Sequence, residues 1–218
     1  MRVTPVENTP EDVVLEGLAP AATSDGRTIV FVSSTTDDMM DLWTADANGR
    51  RKTRLVPSVT ANNLAVTRDD RYVLFTSLLG GPVSIWMVSI EGGSPTKLTD
   101  GFNAAVSPDG GSIAFIAQAP GAVPTFLVCS LPGCSSPRTI GPAQLDAPVS
   151  WTPDGRGVAY AKDGNLWVQP LSGGAPRQLT RFTDGRPIRS FAWSRDGQRL
   201  AITRSTVTND IVLFEGLN

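Results

Sequence analysis

Apolar side chains in this chain come in short runs, and each run is closed by a polar turn. The stretches 28–32, 72–76, 112–116, 157–161 and 199–203 are rich in β-branched and aromatic residues, and each follows a turn built on aspartate. Such runs predict β-strands, and Asp-Gly between two apolar runs predicts a hairpin because both residues tolerate positive φ. The turn aspartates are Asp25, Asp69, Asp109, Asp154 and Asp196, at intervals of 44, 40, 45 and 42 residues. A period in that range is the mark of a propeller blade.

Other positions keep the same register. Five residues past the turn comes Phe31, Phe75, Phe115, Tyr160 or Ile202. A second anchor follows in four copies as Trp43, Trp86, Leu127 and Trp167, with a glycine six residues on at Gly49, Gly92, Gly133 and Gly173. Leu55, Leu98 and Leu179 come six residues later, and the third copy slips by one to Ile140. Each copy therefore predicts four antiparallel strands. An inner strand ends at Ala22, Val66, Val106, Trp151 or Trp193. A second strand follows the turn. A third covers 41–45, 84–89, 125–130 or 165–169, and an outer strand ends at the leucine or isoleucine. One such sheet cannot bury both of its faces, and radial stacking supplies the missing cover. Prolines and glycines, 17 and 21 of them, interrupt the chain too often for helices of any length.

The predicted fold is all-β, a single propeller domain over 1–218. Its five copies lie near 21–56, 65–99, 105–141, 149–180 and 190–218. The last copy stops after a third strand near 211–214. The N-terminal segment 1–20 holds an extended stretch at 13–18, with 2–6 as a second candidate, that could fill the vacant outer edge and close the ring. The alternative is that the five copies belong to a larger ring.

Net charge is −2 with a pI near 5.2, which offers no general attraction for nucleic acid or an anionic membrane. No apolar run has the ~18 residues of a membrane helix, so direct membrane insertion is not expected. The start, 1–11, is polar and proline-rich and does not read as a secretory signal.

Candidate chemistry is sparse. The five turn aspartates recur where turn geometry needs them, which makes them structural. Asp37, Asp38 and Asp41 could ligate a hard cation, but they lack the usual loop spacing and read as a solvated loop. Histidine is absent, so a Ser-His-Asp site cannot be assembled, and no G-x-S-x-G elbow is present. Arg50, Arg51, Lys52 and Arg54 sit at a predicted turn and read as solubilising rather than as a nucleic-acid contact. Cys129 and Cys134 face each other across a predicted turn; they form either a small disulfide, implying an oxidising compartment, or two free thiols. No metal or cofactor is expected. All Asp-Gly turns should fall on one rim. The second-to-third strand connections at 33–40, 77–83, 117–124 and 204–208 should fall on the other, together with the blade crossings. Met39, Met40, Leu78 and Leu79 are apolar residues in those connections. They mark either a partner surface or a plug folded into the channel.

Ser107-Pro108-Asp109-Gly110 with Ile113-Ala114-Phe115 resembles the TolB-type, WD40-like propeller repeat. So does Asn165-Leu166-Trp167 with Gly173-Gly174 and Gln178-Leu179-Thr180. The run Phe191-Ala192-Trp193-Ser194-Arg195-Asp196-Gly197, followed by Leu200-Ala201 and Asn209-Asp210-Ile211-Val212-Leu213, resembles the C-terminal end of propellers fused to bacterial serine/threonine protein kinases. Similar propellers follow winged-helix regulators. The resemblance extends from Ala22 onward. It implies a C-terminal sensing or interaction module, often held outside the cytoplasmic membrane. Kinase chemistry does not carry over, because the Gly-rich loop with its strand lysine, H-R-D and D-F-G are all missing from this sequence.

The expected function is thus a non-catalytic scaffold for a protein or peptide partner, a monomer or tethered to an upstream domain. The expected location is periplasmic or extracytoplasmic as part of a larger protein, and cytoplasmic if the chain is complete. The alternative is the accessory propeller of a prolyl-oligopeptidase-type hydrolase. A lyase or glycan-binding propeller is a smaller third option.

Overall fold

The computed structural model describes residues 2–3, 13–14, 17–36, 39–57, 59, 62–79, 81–145, 147–194 and 196–206; at 2–3, 13–14, 34–36, 39 and 62 it describes the backbone alone. Two short strands, β1 (Arg2–Val3) and β2 (Val13–Val14), pair with each other. Blade 1 is β3 (Leu18–Ala22), β4 (Thr28–Thr36), β5 (Met39–Asp46) and β6 (Thr53–Val56). Blade 2 is β7 (Asn62–Val66), β8 (Tyr72–Ser77), β9 (Ser84–Ser89) and β10 (Thr96–Asp100). Blade 3 is β11 (Phe102–Val106), β12 (Ser112–Ala117), β13 (Thr125–Ser130) and β14 (Arg138–Pro142). Blade 4 is β15 (Val149–Trp151), β16 (Gly157–Lys162), β17 (Asn165–Pro170) and β18 (Arg177–Gln178). The fifth sheet holds β19 (Ile188–Trp193) and β20 (Leu200–Arg204). Every sheet is an antiparallel meander, and inner strands β3, β7, β11 and β15 lie side by side in chain order.

The two anchors of each repeat are direct cross-strand partners. Phe31 faces Trp43, Phe75 faces Trp86, Phe115 faces Leu127 and Tyr160 faces Trp167. In blades 2 to 4 this face packs on the preceding blade. Phe75 and Trp86 meet Val30, Val32 and Leu42, whereas Phe115 and Leu127 meet Leu74 and Ile85. Tyr160 and Trp167 meet Ala114, Ile116 and Phe126, and the Phe126 and Tyr160 rings are 4.8 Å apart. The intervening residues, such as Leu74 and Ala114, serve the next blade. Period-2 alternation therefore splits each second strand between two apolar layers, which is why it is buried on both faces. A fully buried Val, Leu, Ile or Phe in these layers contributes about 1.5–3 kcal/mol.

The predicted strand at 211–214 lies outside the described residues, and with it the outer edge that 1–20 would fill. Leu18 opens inner strand β3. One expectation about the strands needs correction: the stretch 33–40 is not a long loop. β4 and β5 extend into it, with Ser33 opposite Asp41 and Ser34 opposite Met40, because a continued ladder satisfies backbone groups that a loop would leave to water.

Candidate functional site

All five blades are turned by one hydrogen-bond device. Two residues before each aspartate stands Thr23, Thr67, Ser107, Thr152 or Ser194, whose hydroxyl donates to the aspartate Oδ1 at 2.5–2.7 Å. The backbone N–H two residues after the aspartate donates to the same oxygen at 2.9–3.2 Å. The hydroxyl oxygen in turn accepts the N–H that opens the second strand, at 2.8–3.0 Å. These bonds favour the ionised carboxyl. All five aspartates are held below the ordinary 3.8, chiefly by the Arg27 N–H at Asp25 and by the hydroxyl at Asp69, Asp109, Asp154 and Asp196. The aspartates are structural turn residues, and their hydroxyl partners escaped the sequence reading. The signal was present as Thr or Ser recurring two places ahead.

The same turns touch from blade to blade. The residue just before the aspartate meets the turn residue of the following blade. A Cβ on Gly110 would stand 2.7 Å from the Arg68 Cβ, and one on Gly197 would stand 2.6 Å from the Pro153 Cβ. Glycine at these two places lets neighbouring turns close up. Blade 2 departs from the rule, having Asp70 at φ 58° where Gly110, Gly155 and Gly197 stand in later blades. Its carboxylate accepts from both the N–H and the hydroxyl of Ser24.

Beside these turns opens a cavity of 530 Å³ lined by residues of blades 2 to 5. The ends of four inner strands form its wall, with Val66, Val106, Trp151 and Trp193 in matching positions. Phe191, Pro108 and Pro153 add apolar surface, Ser107, Ser150 and Ser194 add hydroxyls, and Arg68 is the one charged lining residue among those described. Trp151 is fixed: its indole N–H donates to the Ala105 carbonyl of the preceding blade at 2.8 Å. Asn63 and Asn103 add similar ties near the other end of the inner strands, where each sits at positive φ in a bulge and donates to the next blade's Ala104 and Ala147 carbonyls.

The opposite rim has its own cavity of 520 Å³, lined by Pro124, Leu145, Lys162, Asp163, Pro187 and Ile188 among others. It opens where the β16–β17 connection is a tight turn, with Asp163 and Gly164 at φ 50° and 71°. The expected partner patch on this rim does not form as a unit. Met39 and Met40 belong to β5, and Met40 and Leu79 are half-buried against the core between blades 1 and 2. Of the side chains described in that patch, Leu78 alone is exposed, at 50%. Asp37 and Asp38 lie outside the described residues. Asp41 is not in a solvated loop; it is buried in β5 with the Arg54 guanidinium 3.4 Å away. Among the described residues no cluster of three or more His, Cys, Asp or Glu could hold a metal ion. Cys129 and Cys134 are bonded to each other, with Cα atoms 5.0 Å apart, and both are buried between blades 2 and 3.

No family model and no curated protein matches the sequence. Among solved structures the chain is similar to a putative TolB from Agrobacterium tumefaciens, with a TM-score of 0.72 at 15% identity over 89% of this chain and 73% of that one. It is similar to TolB from Acinetobacter baumannii with a TM-score of 0.68 at 18% identity, over 88% of this chain. The fold is a TolB-like β-propeller. A prolyl endopeptidase structure also shares it, with a TM-score of 0.56 at 13% identity over 82% of this chain and 31% of that one. The chain spans half the length of the Acinetobacter TolB.

Proposed function

We propose that this propeller is a non-catalytic binding scaffold that takes a protein or peptide segment in the channel mouth ringed by the Asp-Gly turns. The observation that carries this reading is the mouth itself. Its aromatic and apolar wall is drawn from four rigid strand ends, with a few hydroxyls and a single cation for orientation. Neighbouring turns and inner strands are tied to each other by Ser24–Asp70 and Trp151–Ala105, so a ligand meets a preorganised wall. The sequence has no histidine to serve as base or nucleophile partner. The resemblance of 191–213 to kinase-linked propellers supports a place as the C-terminal module of a bacterial signalling protein. The buried Cys129–Cys134 bond supports an oxidising, extracytoplasmic compartment.

The test is panning of a phage-displayed heptapeptide library on the intact protein and on Ala192→Trp. Ala192 is an exposed cavity-lining residue, and an indole there fills the mouth without entering the core. Clones that bind the wild type and lose the variant support the reading. An empty panning, or clones indifferent to Ala192→Trp, would remove it. Loss of binding on shortening 78–83 instead would move the site to the opposite rim. The prolyl endopeptidase likeness favours a second reading, an accessory propeller of a peptidase. The neighbouring coding sequence separates the two: a kinase and membrane span upstream, or a hydrolase domain adjacent.

A further inference from the structure

We propose that the segment bound at this mouth carries an Asp or Glu side chain flanked by apolar residues, and that Arg68 holds its carboxylate. This inference rests on the peptide-binding reading above and names the chemistry of its ligand.

Three observations carry it. Arg68 is the one charged residue among the described lining of the channel mouth. A ligand carboxylate that enters there meets a cation and no lining carboxylate. The guanidinium has no ion-pair or hydrogen-bond partner among the described residues, whereas Arg27, Arg54, Arg186 and Arg204 each have a carboxylate. The Arg68 stem is also placed, because its Cβ packs on Gly110 of the next blade with no room for a Cβ between them. An exposed arginine with a located stem and an unused fork suits bidentate carboxylate capture. Around it, Val66, Val106, Trp151, Phe191 and Trp193 offer apolar surface for the flanking residues. Arg68 stands in the turn at the edge of this cavity.

The experiment uses the clones from the panning, whose displayed peptides have no free C-terminus. Peptides that depend on the mouth are synthesised with amidated C-termini and titrated against wild type, Arg68→Glu and Arg156→Glu. Arg156 is an exposed rim arginine outside the cavity lining, and its variant makes the same change of charge. The expected results are an Asp or Glu in the selected peptides and an affinity loss of about tenfold or more in Arg68→Glu. Binding to Arg156→Glu should be unchanged, and Lys in place of the peptide's acid should recover binding to Arg68→Glu. Mouth-dependent peptides without an acidic residue, or equal binding to wild type and Arg68→Glu, overturn the inference and leave the peptide-binding reading intact. If no clone depends on the mouth, the reading and the inference fail together.

Discussion

Asp70 grips Ser24 of the preceding blade with both carboxylate oxygens, taking its backbone N–H at 2.7 Å and its hydroxyl at 2.5 Å. Later blades use glycine at this turn position to bring adjacent turns into contact. Blade 2 uses the side chain of a residue that tolerates the left-handed backbone. The pair is exposed, so its effect is modest. Ser24→Ala and Asp70→Asn should each lower stability by about 1 kcal/mol or less, with the double variant less damaged than the sum. Urea midpoints of the four proteins measure the coupling, and strict additivity would show that the latch does not hold.

The buried turn of blade 4 should matter more than its exposed counterpart in blade 5. Thr152 donates to Asp154 at 2.6 Å and accepts from the Gly157 N–H at 3.0 Å, and it is buried. Thr152→Val keeps the shape but strands the buried Gly157 N–H, at a cost of about 1–3 kcal/mol. Ser194→Ala removes the same pair of bonds where water can replace them, so its loss should be smaller. Chemical denaturation that ranked the two the other way would contradict this account of the turn.

Acid should loosen the rim as a set. The turn carboxyls titrate below 3.8 in the folded protein, because hydroxyl and backbone donors favour the anion. A depressed folded value means the stabilisation is complete above the unfolded pKa and is lost as pH falls through the folded one. Melting temperature is therefore expected to be insensitive to these groups from pH 7 to about 5 and to fall below about 4. Asp109→Asn should flatten that acid limb. An acid limb identical in wild type and variant would take Asp109 out of the explanation.

Cys129 and Cys134 close a loop of sequence separation 5 inside the layer between blades 2 and 3. So short a loop stabilises by about 2 kcal/mol on chain-entropy grounds. The double Cys→Ala variant should lower the urea midpoint accordingly, with some further loss from the small cavities left. Native protein treated with a thiol-alkylating reagent under denaturing, non-reducing conditions should take up no label. Uptake of two labels would mean that the thiols are free.

The fold and the candidate site were unequally legible in the residues. The inner-strand ends at Ala22, Val66, Val106, Trp151 and Trp193 and the third strands Ser84–Ser89 and Thr125–Ser130 lie where the repeat predicts them. Turn chemistry and period-2 burial are properties of neighbouring residues. Met40 and Leu79 went the other way. They looked like loop residues because their stretch carries no turn signal of its own. In the fold, a lengthened hairpin and the apolar layer of blades 1 and 2 absorb them. Arg68 drew no notice in the chain, since nothing local in the sequence separates it from the other arginines.

The order of residues by itself determined the sheets, their hairpins and the number of repeats, because each of these follows from contacts within some forty residues and recurs copy after copy. Tertiary structure alone decided that Ser24 meets Asp70, that Trp151 reaches Ala105 and that Arg68 comes to a cavity walled by four blades. Those meetings join positions a whole repeat or more apart. Radial stacking brings them together only when each thin sheet must cover its neighbour to keep both of its faces dry.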